Sequence, residues 1–412
     1  MSSGIIRIVR LGSGAADQYL FALTNLIPSI AVARASDIDG FAAFSACFLV
    51  YVLLFGAAKA AFAEPAAIRS LRENSFDSVY QTSRRLVSLY GLILGPLIFA
   101  LVIGMSLPQT SQSNSSPLVW LALMAVGFPF HALHDVGRTI LVAARKPVLP
   151  LISDTVWFGI AALGFFPFGF HPVAWASLVW VTGGIVACCV VCPPLRPEGV
   201  RIRALWSSTY SFRSLTEYMM QSPVYQGSVL LSGVAGSPGS LAALRGGTML
   251  FRPVGLLVQV HRVLSFGASA KRSRGGFGSI LFTGVLASTL GTFLFAAILW
   301  FLPKGVGHSL LGPTWSLVHA ALLPLALAMV FDYLSYVFVT DIKAHGIVAG
   351  LLSIRIVGAI AIPLFTVLGA LSQDPTNAAW GFCAGQAVGA AWVARRAITV
   401  RRDHVGASSV PE

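Results

Sequence analysis

The stretch DGFAAFSACFLVYVLLFGAAKAAF, residues 39–62, decides the class of this chain. Of its 24 residues only Asp39 and Lys59 are charged, and about 20 mostly apolar residues are enough for one helix to cross a bilayer. Similar runs recur along the chain, in which 56% of the 412 residues are hydrophobic and 10% are charged. Soluble domains carry about 25% charged residues. The sequence therefore predicts an all-α polytopic membrane protein.

Twelve runs of this length are predicted as membrane-spanning helices. In the first half they lie at 12–33, 39–62, 86–107, 118–142, 148–167 and 172–192. In the second half they lie at 213–234, 240–264, 279–302, 315–340, 346–370 and 378–396.

The net charge of +13 follows one pattern along these spans. If the N-terminus is inside, twenty of the 28 lysines and arginines fall in inner segments, and only Arg34 and Lys304 fall in outer ones. Such an excess of cytoplasmic basic residues is the positive-inside rule. Both termini are therefore predicted to face the cytoplasm. The basic excess indicates topology and some affinity for membrane lipids, not nucleic acid binding.

The two halves of the chain match each other at an offset of 200 residues. GFAAF (40–44) aligns with SLAAL (240–244), and Asp17 aligns with Glu217. With six spans in each half, this predicts two six-helix lobes around a central cavity. Because six is even, both lobes enter the membrane from the same side, which gives a parallel repeat and favours alternating access. The predicted boundaries are 1–200 for the first lobe, 201–400 for the second and 401–412 for a cytoplasmic tail.

Two arginines, Arg245 and Arg252, lie inside the predicted eighth span, in ALRGGTMLFRPVG (243–255). Seven residues make about two helical turns, so both side chains are predicted on one face, about 10 Å apart along the axis. An arginine at the bilayer centre costs about 2.5–3.5 kcal/mol on insertion scales, so this face is expected to meet protein or water. Either the pair captures phosphate or pyrophosphate, which guanidinium forks suit, or it pairs with acids of the bundle. Pro253 and the preceding glycine pair are expected to loosen the helix.

Other ionisable residues within the spans are further site candidates. Asp17 and Glu217 are candidates to bind a proton or Na⁺, with favourable interaction with a helix dipole as the simpler interpretation. In HALHDVGRTILVAARKP (131–147), Asp135 and Arg138 are three residues apart and predicted to form an i,i+3 pair. Arg138, Lys59 and Arg355 join the candidate phosphate-binding residues, and Asp135 and Asp332 join the candidates for a coupling ion or gating.

No metal, cofactor or catalytic site is predicted. Cys189 and Cys192 have the spacing of a redox or metal motif, but no second ligand pair accompanies them. The sequence contains neither a G-x-x-x-x-G-K-[ST] phosphate loop nor a G-x-S-x-G motif. The predicted outer segments, such as the uncharged PQTSQSNSSP (108–117), are too short for the outer domain of a membrane glycosyltransferase or polymerase. The chain is therefore expected not to be an enzyme.

Several segments resemble polysaccharide-export flippases of the O-antigen and teichoic-acid exporter type. These belong to the multidrug/oligosaccharidyl-lipid/polysaccharide exporter (MOP) superfamily. DQYLFALTNLIPSIAVARASDIDGFAAFS (17–45) resembles their first helical hairpin, and HDVGRTILVAARKPVLPLISDTVW (134–157) resembles their fourth-to-fifth helix junction. SLAALRGGTMLFRPVGLLVQV (240–260) is similar to their eighth helix, and SLLGPTWSLVHAALLP (309–324) to the outer turn before the tenth.

The resemblance implies a flippase with a cationic central cavity. It implies a bacterial plasma (inner) membrane protein that translocates a polyprenyl-pyrophosphate-linked oligosaccharide to the outer leaflet. Glycosyltransferases and a polymerase of the same pathway are the implied partners. It places Arg245 and Arg252 in the cavity and matches the step from Asp135 to Arg138. One alternative is a cation-coupled small-molecule or drug antiporter of the same superfamily, in which Asp17 or Glu217 matters more than the arginines. A membrane glycosyltransferase or polymerase is the less favoured alternative.

Overall fold

The computed structural model describes residues 3–67, 76–106, 117–144, 146–166, 172–192, 209–255, 277–344 and 351–407. Over these residues the chain is helical and contains no β-strand. Six segments are long and apolar enough to cross a membrane: Ile38–Ala67, Val148–Phe165, Ala174–Val191, Thr283–Trp300, Leu322–Val339 and Ser353–Ala370. The predicted class, an all-α polytopic membrane protein, is confirmed.

Residues 1–222 form the first of two compact units. Its helices are α1 (Ser3–Ala35), α2 (Ile38–Ala58), α3 (Phe76–Ser106), α4 (Pro117–Ala143), α5 (Val148–Ala162), α6 (Pro172–Val191) and α7 (Thr209–Met219). α2 continues as one turn of π-helix, Lys59–Ala63. α1 packs against α5 and α6, and α4 packs against α3 and α6. An apolar core that includes Phe62, Val87, Ile140 and Val191 joins α2 to these helices.

Residues 223–412 form the second unit. Its helices are α8 (Ser222–Ala235), α9 (Pro238–Leu250), α10 (Phe277–Trp300), α11 (Lys304–Leu311), α12 (Thr314–Ala320), α13 (Leu322–Ala344), α14 (Leu351–Ala370) and α15 (Pro375–Ala407). α15 packs against α14 and α13, and a small apolar cluster that includes Ile354 and Val393 lies among these three helices.

The division between the units falls beyond the predicted lobe boundary at residue 200. α7 belongs to the first unit because it packs against α2 and the π-helical turn. The Tyr218 hydroxyl donates a hydrogen bond to the Leu53 carbonyl at 2.8 Å, and the Ser214 hydroxyl donates to Glu64 at 2.5 Å. The predicted parallel repeat itself stays a prediction.

Two predicted spans are interrupted near prolines. The seventh span is divided into α7 and α8 just before Pro223, and the tenth is divided into α12 and α13 just before Pro324. Proline has no N–H to donate, and its ring clashes with the carbonyl of the residue four positions earlier. That residue is Met219 for Pro223 and Ala320 for Pro324, and α7 and α12 end at these residues. In addition, the predicted outer segment 303–314 contains a short helix, α11.

Four helices outside the most apolar segments are nonetheless long enough to cross a membrane. α1, α3, α4 and α15 contain 33, 31, 27 and 33 residues. At about 1.5 Å per residue they are roughly 40–50 Å long, more than the ~30 Å hydrocarbon core. Asp17 in α1, and Asp135 and Arg138 in α4, are ionisable side chains that lower the mean hydropathy and are buried inside the first unit, as described below.

Glycines let the backbones of α14 and α15 approach closely. A Cβ atom at Gly381 would lie 2.2 Å from the Phe365 carbonyl oxygen, and one at Gly385 would lie 2.6 Å from the Ile362 Cα. Both distances are well inside van der Waals contact. Gly381, Gly385 and Gly389 are spaced four residues apart and lie on one face, as in small-residue packing motifs of membrane helices.

Replacing Gly385 with leucine is expected to destabilise the second unit. The new side chain would collide with α14, and overpacking of this kind costs about 1–3 kcal/mol or more. The matched control is Gly291→Leu in α10, where a Cβ atom meets no heavy atom within 4 Å. Thermal unfolding of the purified proteins in detergent measures the difference. Equal melting temperatures for the two variants would contradict the close packing of α14 and α15.

Candidate functional site

Arg138 is the centre of a buried ion cluster in the first unit. Its Nη1 atom lies 2.7 Å from Asp17 Oδ2 and 3.5 Å from Asp154 Oδ2, and its Nη2 atom lies 2.9 Å from Asp135 Oδ1. The Arg138 side chain is only 1% exposed. The predicted i,i+3 contact between Asp135 and Arg138 is present, but it is one of three contacts between this guanidinium and carboxylates.

Three further side chains complete the ion cluster. Lys59 Nζ lies 3.9 Å from Asp135 Oδ2, and its side chain is 35% exposed. His134 Nε2 lies 2.8 Å from the Ser153 hydroxyl and 3.4 Å from Asp154 Oδ1. Because the Ser153 hydroxyl donates its proton to the Ala187 carbonyl, the imidazole donates from Nε2. Phe21 contributes its ring, whose centroid lies 4.2 Å from the Arg138 Cζ atom.

The ion cluster joins three helices of the first unit. α1 supplies Asp17, α4 supplies Asp135 and Arg138, and α5 supplies Asp154. A charge buried without a partner costs several kcal/mol, so these contacts hold the helices in one arrangement. With all three carboxylates ionised, their three negative charges exceed the two positive charges of Arg138 and Lys59 by one.

In the second unit, Arg245 and Arg252 share a neighbour that the sequence did not indicate. Arg245 is 5% exposed and Arg252 is half-buried. Tyr225 on α8 interacts electrostatically with both arginines, and Arg252 also acts on Arg245. The Tyr225 hydroxyl donates a hydrogen bond to the Met329 sulfur at 3.7 Å, and its ring meets Phe382 edge-on. The sequence could have drawn attention to Tyr225 only as a polar hydroxyl within a predicted apolar span.

The helix that carries this arginine pair is interrupted between the two residues. α9 ends at Leu250, Phe251 forms a turn, and helical backbone resumes at Arg252. Pro253 explains the break, because it lacks the N–H that would continue the helix. The predicted loosening of the helix beside Pro253 is therefore confirmed. Residues 256–264 of the predicted span 240–264 lie outside the described part of the chain.

The glycine pair in this segment does not loosen the helix as predicted. Gly246 and Gly247 lie within α9, where a Cβ atom at Gly247 would come 2.1 Å from Leu325 and one at Gly246 would come 2.8 Å from Val318. The glycines permit close packing of α9 against α12 and α13. They thereby bury the helical turn that carries Arg245.

The remaining candidates are distributed over both units. Asp332 on α13 and Arg355 on α14 lie within electrostatic reach of each other, and Asp332 also acts on Tyr225. Glu217 lies half-buried on α7 in the first unit. It therefore differs from Asp17, its sequence counterpart, which is fully buried against Arg138. The structure thus gathers Asp17, Asp135, Arg138 and Lys59 in one unit, and Arg245, Arg252, Asp332 and Arg355 in the other.

Comparison with solved structures identifies the fold. An inward-facing multidrug resistance MATE family transporter of the MOP superfamily matches with a TM-score of 0.71 at 14% identity, over 93% of this chain and 96% of that one. Lipid II flippase MurJ, in an inward closed conformation, matches with a TM-score of 0.71 at 13% identity, over 93% and 87%. This chain has the fold of the MOP transporters. Identities this low show the fold alone.

A third solved structure shares this fold. A MOP superfamily transporter from Pyrococcus furiosus Vc1, for which reverse polarity of the binding pocket suggests a different function, matches with a TM-score of 0.64 at 16% identity. The match covers 96% of each chain. No protein-family model matches the sequence, and no curated protein matches it. The substrate class is therefore argued from the residues of this chain.

Removing the Arg138 guanidinium is expected to destabilise the first unit strongly. Arg138→Met leaves three buried carboxylates without their shared cation, and breaking a buried pair costs about 3–5 kcal/mol. Arg34→Met, at the exposed end of α1, is the control and should change stability little. The double variant Asp17→Asn/Arg138→Met should lose less than the sum of the single losses, because the two side chains are in contact. Additive losses in unfolding experiments would contradict the contact.

Proposed function

We propose that this chain is a flippase for a polyprenyl-pyrophosphate-linked oligosaccharide, used in the assembly of cell-surface polysaccharide. Arg245 and Arg252 hold the phosphates, the polyprenyl chain stays in lipid, and alternating access moves the headgroup to the outer leaflet. No bond is made or broken in this process. The likeness to the lipid II flippase MurJ supports a lipid-linked substrate, and the fold supports a transporter.

The observation that carries this proposal is the arginine pair around Tyr225. Two guanidinium groups that act on each other in a buried region repel, and neither can be neutralised by losing a proton. A pyrophosphate accepting hydrogen bonds from both groups would turn that repulsion into attraction, in the bidentate geometry that guanidinium groups form with phosphate. Tyr225 offers a neutral hydroxyl beside the two charges.

The charge distribution of the sequence supports the proposed orientation of the termini, and the resemblance to polysaccharide-export flippases supports the proposed membrane. We place the chain in a bacterial plasma membrane, as a multi-pass protein with both termini in the cytoplasm. Its substrate requires glycosyltransferases that build the oligosaccharide on the lipid pyrophosphate at the inner face. Once outside, the oligosaccharide would be used by a polymerase of the same pathway.

Arginine variants in a strain that lacks this protein test the flippase. Arg245→Ala and Arg252→Ala are each expected to reduce the initial rate of export at least tenfold, because loss of one charged hydrogen bond to phosphate costs about 1.5–3 kcal/mol. Lectin labelling of newly exported sugar on the outer leaflet measures the rate. Lys304→Ala, an exposed cation on α11, is the matched control and should export at the wild-type rate. Full export by both arginine variants would refute the phosphate role.

The second candidate function is a cation-coupled antiporter, and one observation favours it. The ion cluster holds one carboxylate in excess, which a proton or Na⁺ could neutralise. However, the coordination position beside Asp17 Oδ2 and Asp154 Oδ2 is occupied by the Arg138 Nη1 atom. A coupling ion would have to compete with this guanidinium, so the flippase is the better supported function.

Carboxylate variants distinguish the two candidate functions. If the chain is a flippase, Asp17→Asn should retain substantial export wherever the protein folds, because Asp17 serves Arg138 rather than the substrate. If it is a cation-coupled antiporter, Asp17→Asn should abolish transport, while Arg252→Ala remains active. Purified protein in liposomes, assayed with and without a pH or Na⁺ gradient, separates these outcomes.

A further inference from the structure

A pair of cysteines, Cys188 and Cys192, lies at the end of α6 that is cytoplasmic in the predicted topology. It differs from the pair with motif spacing, Cys189 and Cys192. Cys188 and Cys192 are one helical turn apart, and the Cys192 N–H donates to the Cys188 carbonyl at 2.8 Å. Their side chains interact with each other, whereas Cys189 is exposed on a different face. Cys188 is buried and Cys192 is partly exposed, so reagents reach Cys192 first.

A buried arginine lies beside this cysteine pair. Arg84 on α3 is 3% exposed, and its guanidinium interacts with the Cys192 sulfur. In the described part of the chain, the Arg84 Nε and Nη1 atoms have no hydrogen-bond partner. A guanidinium cannot be neutralised, so burial here favours a negative charge on a group next to it. A thiolate at Cys192 is such a charge.

The surroundings of Cys192 accommodate both the thiol and the thiolate. In the thiol form, Cys192 donates to the Leu133 carbonyl at 3.6 Å. The sulfur lies over Gly137, where a Cβ atom would come within 3.1 Å of it and 3.3 Å of the Tyr80 hydroxyl oxygen. That hydroxyl donates to the Val191 carbonyl at 2.6 Å. Once the proton leaves, Arg84 provides the compensating positive charge.

We propose that Cys192 is a thiol-modification site for low-molecular-weight disulfides, with Arg84 as the residue that stabilises its reactive thiolate. The Cys192 thiolate attacks one sulfur of the disulfide, a new sulfur–sulfur bond forms, and the old one breaks. One thiolate leaves and takes up a proton from water. Cys192 is oxidised to a mixed disulfide, and the other half of the reagent is reduced to a thiol.

The test uses the full-length purified protein and oxidised glutathione as the probe. Peptide mass spectrometry follows the mixed disulfide at each cysteine at neutral pH, with Cys189 as the internal control in the same molecule. Cys192 should react at least tenfold faster than Cys189, because an ordinary thiol is only a few per cent thiolate at pH 7. Arg84→Met should remove most of this difference, and Arg84→Lys should restore part of it.

Two results would overturn the proposal. One is a Cys192 rate no higher than that of Cys189 in the wild-type protein. The other is an unchanged Cys192 rate in Arg84→Met that elutes and unfolds like the wild type. If Arg84→Met does not fold, Arg84→Lys decides, because a charge-based effect predicts that its Cys192 stays faster than Cys189.

Discussion

A guanidinium buried in a membrane protein keeps its charge, so the structure must supply an anion. In the first unit Arg138 meets this requirement with three carboxylates, from α1, α4 and α5. The arrangement of these helices depends on the ion cluster, because the contacts of Arg138 with Asp17 and Asp154 join α4 to α1 and α5. The contacts also determine what Asp17 can do, since its Oδ2 atom is already bound to Arg138.

The arginines of the second unit have different neighbours. Arg245 and Arg252 act on each other and on the hydroxyl of Tyr225, while Asp332 lies near Arg355. A pair of like charges is a poor way to stabilise a fold, but it suits a ligand that brings a doubly charged group with it. This contrast underlies the proposal that the first unit uses its charges for packing and the second uses them for the substrate.

Sequence reasoning predicted the membrane class and the local pair of Asp135 and Arg138, because hydropathy and helical spacing are properties of neighbouring residues. It could not assign Asp17 to Arg138, since that contact depends on how α1 and α4 pack. It also missed Tyr225, whose role arises only when α8 lies next to the arginine pair. The breaks in the seventh and tenth spans could have been predicted, because each lies within the four residues before a proline.

The central claim is that the arginine pair recognises a lipid pyrophosphate, and ligand-induced stabilisation tests it most directly. The account predicts that farnesyl pyrophosphate raises the melting temperature of the purified protein, whereas farnesol does not. At a farnesyl pyrophosphate concentration of about one hundred times the dissociation constant, binding adds about 2.7 kcal/mol to the free energy of unfolding. The increase should disappear in Arg245→Ala and Arg252→Ala and persist in Lys304→Ala. The same increase in all variants, or with farnesol, would contradict the account.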